Sequence, residues 1–286
     1  MEELIGKARV LIEALPYISE FRGRTVVVKI GGAALEDQAL RVQFAQDVML
    51  LDWVGIHVVV VHGGGKQIDA MLDRLGIEAR FVDGQRVTDF ATLEVVEMVL
   101  AGSMTQQLVR LINHTGGAAV GLSGADGGLA RARIADPALG RVGEITAIDR
   151  TVIDRLIADF IPVIAPVATG DDGRALNVNA DVFAARLAQA LCAEKLIMLT
   201  DTPGVLDATG VLIPTLDARA AEELVARGVI TGGMIPKVDN ALAALAAGVG
   251  KVHVIDGRLE HALLLEIFTR DGVGTQMIAD GAGAQP

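Results

Sequence analysis

The spacing of apolar and polar positions changes repeatedly along the chain, and each change marks an element. Between Glu2 and Leu15 the apolar residues Leu4, Ile5, Ala8, Leu11, Ile12 and Leu15 recur at helical spacing, and Pro16 is expected to end that helix. Thr25 to Ile30 is β-branched and uninterrupted, the pattern of a buried strand, and runs into Gly31-Gly32. A helix is expected over 36–53. His57 to Val61 reads as a second buried strand, ending at Gly63-Gly64-Gly65, and Lys66 to Leu75 as the helix after it. Two successive strand–turn–helix units imply a parallel sheet with right-handed crossovers.

The middle of the chain is less regular. A short hairpin is expected around Asp83-Gly84, a mostly helical stretch over 90–114, a strand over 118–122, and a second hairpin around Gly140. A helix over 152–159 precedes a strand from Ile161 to Val167. The pattern then restarts, with a helix over 181–191, a strand over 195–200 and a Gly/Pro turn region to Gly210. Helices over 217–227 and 235–247 follow, then a strand over 251–255, a helix to Phe268 and a last strand near 274–278. The tail from Asp280 is expected to fray. The reading is an α/β fold, a mostly parallel sheet between helices. Its units are an N-terminal helical arm (1–20), a lobe over 21–173 and a lobe over 174–286.

Composition narrows the function classes. The 286 residues carry a formal net charge of −11, which argues against nucleic acid and against an anionic membrane as general partners. No apolar run approaches the roughly 18 residues of a membrane span. Glu2, Glu3 and Lys7 stand where a signal peptide would carry its apolar core, so a cytoplasmic protein is expected. The single cysteine, Cys192, ends an apolar helical run and is expected to be a buried small hydrophobe. No Cys/His cluster has metal-ligand spacing. Of the five histidines, His62 adjoins a candidate site.

Three turns fall at strand ends, where open α/β sheets bind ligands: Lys29-Ile30-Gly31-Gly32, His62-Gly63-Gly64-Gly65 and Thr200-Asp201-Thr202-Pro203-Gly204. Consecutive glycines ahead of a helix can form an anion site from backbone N–H groups, or simply a tight turn. Gly65-Lys66 is followed by Gln67, so the P-loop pattern is absent. Lys29 near the end of a buried strand is either a snorkelling side chain or a functional cation. Lys237, in the first turn of a helix after Gly232-Gly233, opposes the helix dipole and so answers to negative charge. Asp181, which opens the helix after Asn177-Val178-Asn179-Ala180, reads by itself as an N-cap or first-turn acid. Arg86, in Arg86-Val87-Thr88-Asp89, is a surface salt-bridge partner or a carboxylate fork.

The stretches VVVKIGG (26–32), VVVVHGGGKQI (58–68), GQRVTD (84–89), EMVLAG (97–102), AVGLSGADGG (119–128), LNVNAD (176–181), LTDTPGV (199–205), GGMIPKV (232–238) and HALLLEIFTRDGVGTQMI (261–278) resemble, in order and spacing, the amino acid kinase family. The resemblance is strongest to its acetylglutamate-phosphorylating, arginine-inhibited branch. It implies a three-layer αβα sandwich of the carbamate kinase-like kind. It implies transfer of the γ-phosphoryl group of ATP, with Mg²⁺ carried on the nucleotide, to the side-chain carboxylate of N-acetyl-L-glutamate. The lobe over 21–173 would hold the acyl amino acid, and the lobe over 174–286 the nucleotide.

Residue by residue, Lys29 and Lys237 would neutralise the moving phosphoryl group and Asp181 would hold both lysines. Gly32, Gly64 and Gly65 would donate backbone N–H bonds, and Arg86 and Asn177 would grip the acceptor substrate. Asp201, Thr202, Pro203, Gly204, Val205, Leu206, Val229, Ile230 and Thr231 would line the nucleotide pocket. The N-terminal helix resembles the arm that interlaces dimers into a hexamer, a trimer of dimers. Tyr17, Lys195, Glu266 and Gly272 would then contact L-arginine as inhibitor. A PII-type regulator is left undecided. Ala33, Thr105-Gln106 and Ala125 depart from the family's commoner residues. The alternatives are a sibling kinase, such as one acting on carrier-protein-linked aminoadipate, or a non-catalytic sensor of arginine or nucleotide.

Overall fold

The computed structural model describes residues 2–270 and 272–279; position 271 and the tail from 280, expected to fray, lie outside the described residues. In chain order the first third comprises α1 (Glu2–Phe21), β1 (Thr25–Ile30), α2 (Ala33–Glu36), α3 (Gln38–Trp53), β2 (His57–His62), α4 (Gly65–Arg74), β3 (Phe81–Val82), β4 (Gln85–Arg86) and α5 (Phe90–Glu97). A π-helical segment (Met98–Met104) leads into α6 (Thr105–His114), β5 (Ala119–Ser123), β6 (Ala130–Ile134), β7 (Gly143–Ile148) and α7 (Thr151–Leu156). Next come β8 (Ile161–Ala165), β9 (Val167–Gly170), β10 (Ala175–Asn177), α8 (Ala180–Ala190) and β11 (Lys195–Thr200). The chain closes with β12 (Thr215–Asp217), α9 (Ala218–Ala226), α10 (Met234–Ala246), β13 (Lys251–Asp256), α11 (Ala262–Phe268) and β14 (Thr275–Ile278).

The main sheet has the order β12-β14-β13-β11-β1-β2-β8-β5. Every neighbouring pair is parallel except β13 and β14. Its central strands are apolar on both sides, because successive side chains point to opposite faces and both faces are covered. Val26, Val28 and Ile30 of β1 pack with Phe44, Val48 and Leu51 of α3, Leu108 and Ile112 of α6, and Leu263 and Ile267 of α11. Val27 of the same strand packs on the other face with Phe183 and Leu187 of α8 and Val238 and Ala241 of α10. These are the three layers of the expected α/β sandwich. A smaller sheet, β10-β9-β6-β7, and the β3–β4 hairpin complete it.

The strand order turns around β1, which pairs with β2 on one side and β11 on the other. This is a topological switch point, and a crevice opens there beyond the carboxyl ends of the strands.

Several expectations are corrected. The first helix does not stop at Pro16 but continues through it to Phe21. Proline costs a helix one backbone hydrogen bond, yet the last turn is anchored because Phe21 is buried and Tyr17 packs on the same core. The strand beginning at Ile161 breaks at Pro166, and its second part joins the smaller sheet. Cys192 is exposed, not buried. The helix ends at Ala190, and Cys192 takes the left-handed conformation (φ 49°) that reverses the chain into β11.

Candidate functional site

At the switch point stands a three-residue ionic cluster. Lys29 leaves β1 one residue before its end, Asp181 is in the first turn of α8, and Lys237 is in the first turn of α10. Lys29 Nζ lies 2.9 Å from Asp181 Oδ1, and Lys237 Nζ lies 2.7 Å from Asp181 Oδ2. Asp181 is thus not the N-cap of its helix. Asn179 is, accepting from the N–H groups of Asp181 and Val182 at 2.8 and 3.3 Å, which frees the Asp181 carboxylate to bridge the two ammonium groups. Burial pushes the Asp181 carboxyl up, but the charges of Lys29 and Lys237 outweigh it and hold the group at about 2. Two cations against one anion leave the cluster with one surplus positive charge, in a chain whose net charge is −11.

Glycine turns frame this cluster. The N–H of Gly63 donates to the Ile30 carbonyl at 2.9 Å, tying the second turn to the end of β1. Gly64 and Gly65 occupy the N-cap and first position of α4, whose first-turn N–H groups have no intrahelical acceptor. A side chain on Gly64 would meet Leu100 Cδ2 at 2.6 Å. Behind the turn, the buried His62 ring is within hydrogen-bonding distance of the Gly63 carbonyl and Thr105 Oγ1, at 2.9 and 2.8 Å. Burial lowers its pKa to about 4, so the ring is neutral at pH 7 and serves as a strut.

A cleft of about 260 Å³ lies beside the turn, lined by Gly63, Gly64, Gly65, Phe81, Arg86, Asn177 and Ala180, among others. Arg86 and Asn177, far apart in the chain, therefore face one space. The Arg86 guanidinium is stacked over the Phe81 ring at 4.7 Å, and donates to Asp69 Oδ1 at 2.6 Å and to the Gly65 carbonyl at 3.2 Å. The Asn177 amide donates to Thr88 Oγ1 at 3.1 Å. Asp69 and Thr88 were not singled out in the sequence. The signal for Thr88 was the Arg86-Val87-Thr88-Asp89 stretch itself, whereas an acid inside α4 carries no local mark.

The expected nucleotide segments flank the other side of the switch point. Asp201 to Leu206 follow β11 directly, and Val229 to Thr231 lead into α10. Val205 and Ile230 are buried in one core cluster, so their side chains anchor the two loops. The Val205 N–H donates to Thr275 Oγ1 at 2.8 Å. Gly204 has a positive φ of 146°, and a Cβ there would meet Thr275 Oγ1 at 2.7 Å.

Amide-bearing turns around a surplus of ammonium charge suit a multiply charged phosphate passing to a small anion. The profile of the amino acid kinase family matches residues 24–256. The chain belongs to the amino acid kinase family. A curated relative, acetylglutamate kinase of Chromobacterium violaceum, is 54% identical over 96% of this chain and 98% of its own length. Among solved structures, N-acetylglutamate synthase from Neisseria gonorrhoeae, complexed with coenzyme A and N-acetyl-glutamate, superposes with a TM-score of 0.85 at 29% identity. That match covers 95% of this chain and 63% of the synthase chain. The same synthase complexed with coenzyme A and L-arginine gives 0.81 at 27% identity, with 95% and 65% covered. The fold of the family extends to carbamate kinase from Giardia lamblia, with a TM-score of 0.64 at 18% identity over 90% of this chain and 99% of that one. Membership implies ATP as phosphoryl donor. Among the described residues no helix is long and apolar enough to cross a membrane.

The remaining expected residues form a second cluster away from the crevice. Lys195 Nζ sits over the Phe21 ring at 4.5 Å, at the end of the helix that also carries Tyr17. Glu266 is hydrogen-bonded to His253 Nδ1 and accepts the Val273 N–H at 2.8 Å. Burial pushes the Glu266 carboxyl up, but His253, the Val273 N–H and Lys195 together hold it below its ordinary value. Gly272 has φ +62°, and a Cβ there would lie 2.9 Å from the Glu266 carboxylate. His253 belongs to this cluster and was not expected in it.

Proposed function

We propose that this chain transfers the γ-phosphoryl group of ATP to the side-chain carboxylate of N-acetyl-L-glutamate, giving N-acetyl-L-glutamyl 5-phosphate in arginine biosynthesis. The observation that carries the reading is the convergence of Lys29 and Lys237 on Asp181 at the switch point. The acceptor carboxylate is ionised at pH 7, so no general base is needed. The barrier is the approach of two anions, and phosphoryl transfer is catalysed mainly by alignment and charge stabilisation.

In this reading the ammonium groups of Lys29 and Lys237 take up charge on the equatorial oxygens of the migrating group, and Asp181 fixes their separation. The N–H groups of Gly32, Gly64 and Gly65 complete the cradle, and at Gly32 and Gly64 a side chain would collide with Asp201 and Leu100. Arg86 and Asn177 orient the acyl amino acid in the cleft over residues 21–173, while Asp201 to Leu206 and Val229 to Thr231, in the part over 174–286, hold the nucleotide. Mg²⁺ bound to the nucleotide phosphates would neutralise part of their charge.

The same reading extends to regulation in a cytoplasmic biosynthetic enzyme. Lys195 and Glu266 offer a cation for the carboxylate and an anion for the guanidinium of L-arginine, next to Tyr17 and Gly272. The named L-arginine complex of the Neisseria synthase supports this assignment.

The test is acyl-phosphate formation, trapped as the hydroxamate, with MgATP and a panel of acceptors. Turnover with N-acetylglutamate well above that with glutamate, aspartate, aminoadipate derivatives and carbamate is expected. Preference for another acceptor would point to a sibling kinase, and no turnover with any of them to a sensor.

A further inference from the structure

The first glycine turn is clasped by charge on both sides. A Cβ on Gly31 would lie 2.6 Å from Lys29 Nζ, and one on Gly32, whose φ is +56°, would lie 2.6 Å from Asp201 Cγ. Gly32 is also the N-cap of α2 and has no side chain with which to cap it. The missing acceptor comes from 168 residues further along the chain, where Asp201 Oδ1 accepts the Ala33 N–H at 2.7 Å. Because β11 and β1 are paired with Lys29 beside Met198, this bond spans the switch point and joins the ends of two adjacent strands.

Two cations feel the Asp201 charge, but each has its own carboxylate. Lys66 is paired with Glu36 at 2.7 Å and Arg258 with Asp256 at 2.8 Å. The hydrogen bond of Asp201 is therefore spent on the turn.

We propose that Asp201 is a positioning residue whose carboxylate oxygen, by taking the Ala33 N–H, holds the Gly31-Gly32-Ala33 turn in the conformation that aims the Gly32 amide at the migrating phosphoryl group. This goes beyond lining the nucleotide pocket, and it rests on the phosphotransferase reading of the lysine cluster. A turn of two glycines has many alternative conformations, so losing the one side chain that caps it frees the turn. What the bond requires at position 201 is an acceptor oxygen, not a charge. Asparagine supplies that oxygen and alanine does not.

The experiment compares full-length wild type, Asp201→Asn and Asp201→Ala by steady-state kinetics and by amide hydrogen exchange of the ligand-free proteins. Asp201→Ala is expected to lower kcat by about 10²-fold, the scale of a small misplacement of reacting groups, with KM for N-acetylglutamate little changed. Exchange in the peptide over 30–35 should quicken by about tenfold as local opening becomes easier, with the rest of the sheet unaffected. Asp201→Asn should recover most of the lost kcat and keep the slow exchange, while KM for ATP reports any separate loss at the nucleotide.

An Asn variant as slow as the Ala variant would assign the role to charge and overturn the proposal. So would unchanged exchange over 30–35 in the Ala variant. Should the wild type itself form no acyl phosphate, the phosphotransferase reading fails, and the exchange comparison still decides whether Asp201 holds the turn.

Discussion

Lys29 shows how a single residue declares a function. An ammonium group near the end of an otherwise apolar strand is costly unless something answers it, and here the answer is Asp181 at 2.9 Å. Lys237 answers to the other oxygen of the same carboxylate. Because the cluster supplies charge where charge accumulates in the transition state, Lys29→Ala and Lys237→Ala should each lower kcat by about 10²–10³-fold, by analogy with the loss of one oxyanion donor. Unfolding midpoints should stay close to wild type, since neither ammonium forms part of the apolar core. Turnover within a few-fold of wild type in either variant would remove that lysine from the mechanism. The anomaly of each lysine was visible in the sequence, but their meeting was not. Positions 29, 181 and 237 have no local relation, and only the family resemblance linked them before the fold did. The Asp69 partner of Arg86 and the Asp201 partner of Ala33 were illegible for the same reason. A hydrogen bond between distant positions leaves no period or spacing to read.

At the scale of elements, strands and helices with a strong apolar period were legible, because burial on both faces of the sheet imposes the pattern. Elements held by a neighbour were not. The three-residue strands β10 and β12 are too short to show alternation, and the π-helical segment over 98–104 reads as ordinary helix. The Thr105 hydroxyl, 2.8 Å from the Leu100 carbonyl, closes the widened turn, which packs Leu100 and Met104 against Gly64. The junction of α3 and α11 is another device of this kind. His261, in the left-handed conformation at the start of α11, is hydrogen-bonded to the buried Asp47 of α3 at 2.6 Å. Burial raises the Asp47 carboxyl to about 6, although His261 and the Leu263 N–H pull it the other way. A carboxyl raised in the folded state binds its proton more tightly there than in the unfolded chain. Its contribution therefore favours folding at low pH and is lost as pH rises from about 4 through about 6. Asp47→Asn removes this titration. In urea unfolding, its stability relative to wild type should improve from pH 4 to pH 7 by up to about 3 kcal/mol, two pK units' worth. A constant difference across that range would show that Asp47 does not titrate as its burial implies.

At the scale of the whole molecule, the first helix carries an uncovered apolar stretch. Val10, Leu11, Ile12 and Leu15 of α1 are each more than half exposed, as is Ile5, while the far end of the helix is tied down by Tyr17 and Phe21. Isolated helices owe most of their stability in proteins to packing of an amphipathic face, and a patch of this kind marks an interaction site. A second copy of the same helix is the partner that fits the hexamer expected from the sequence. An isologous contact covers the same face on both chains, and the proposed arginine cluster begins where α1 meets the core. On this reading α1 does two things, joining dimers into a hexamer and completing the inhibitor site. Deleting residues 1–20 should then leave a dimer by sedimentation equilibrium and abolish inhibition by arginine, with the thermal transition of the remaining chain intact. A hexamer that survived the deletion would place the assembly contact elsewhere. Arginine inhibition that survived in a dimer would separate the inhibitor site from the helix, and the cluster of Lys195, His253 and Glu266 would then have to act without it.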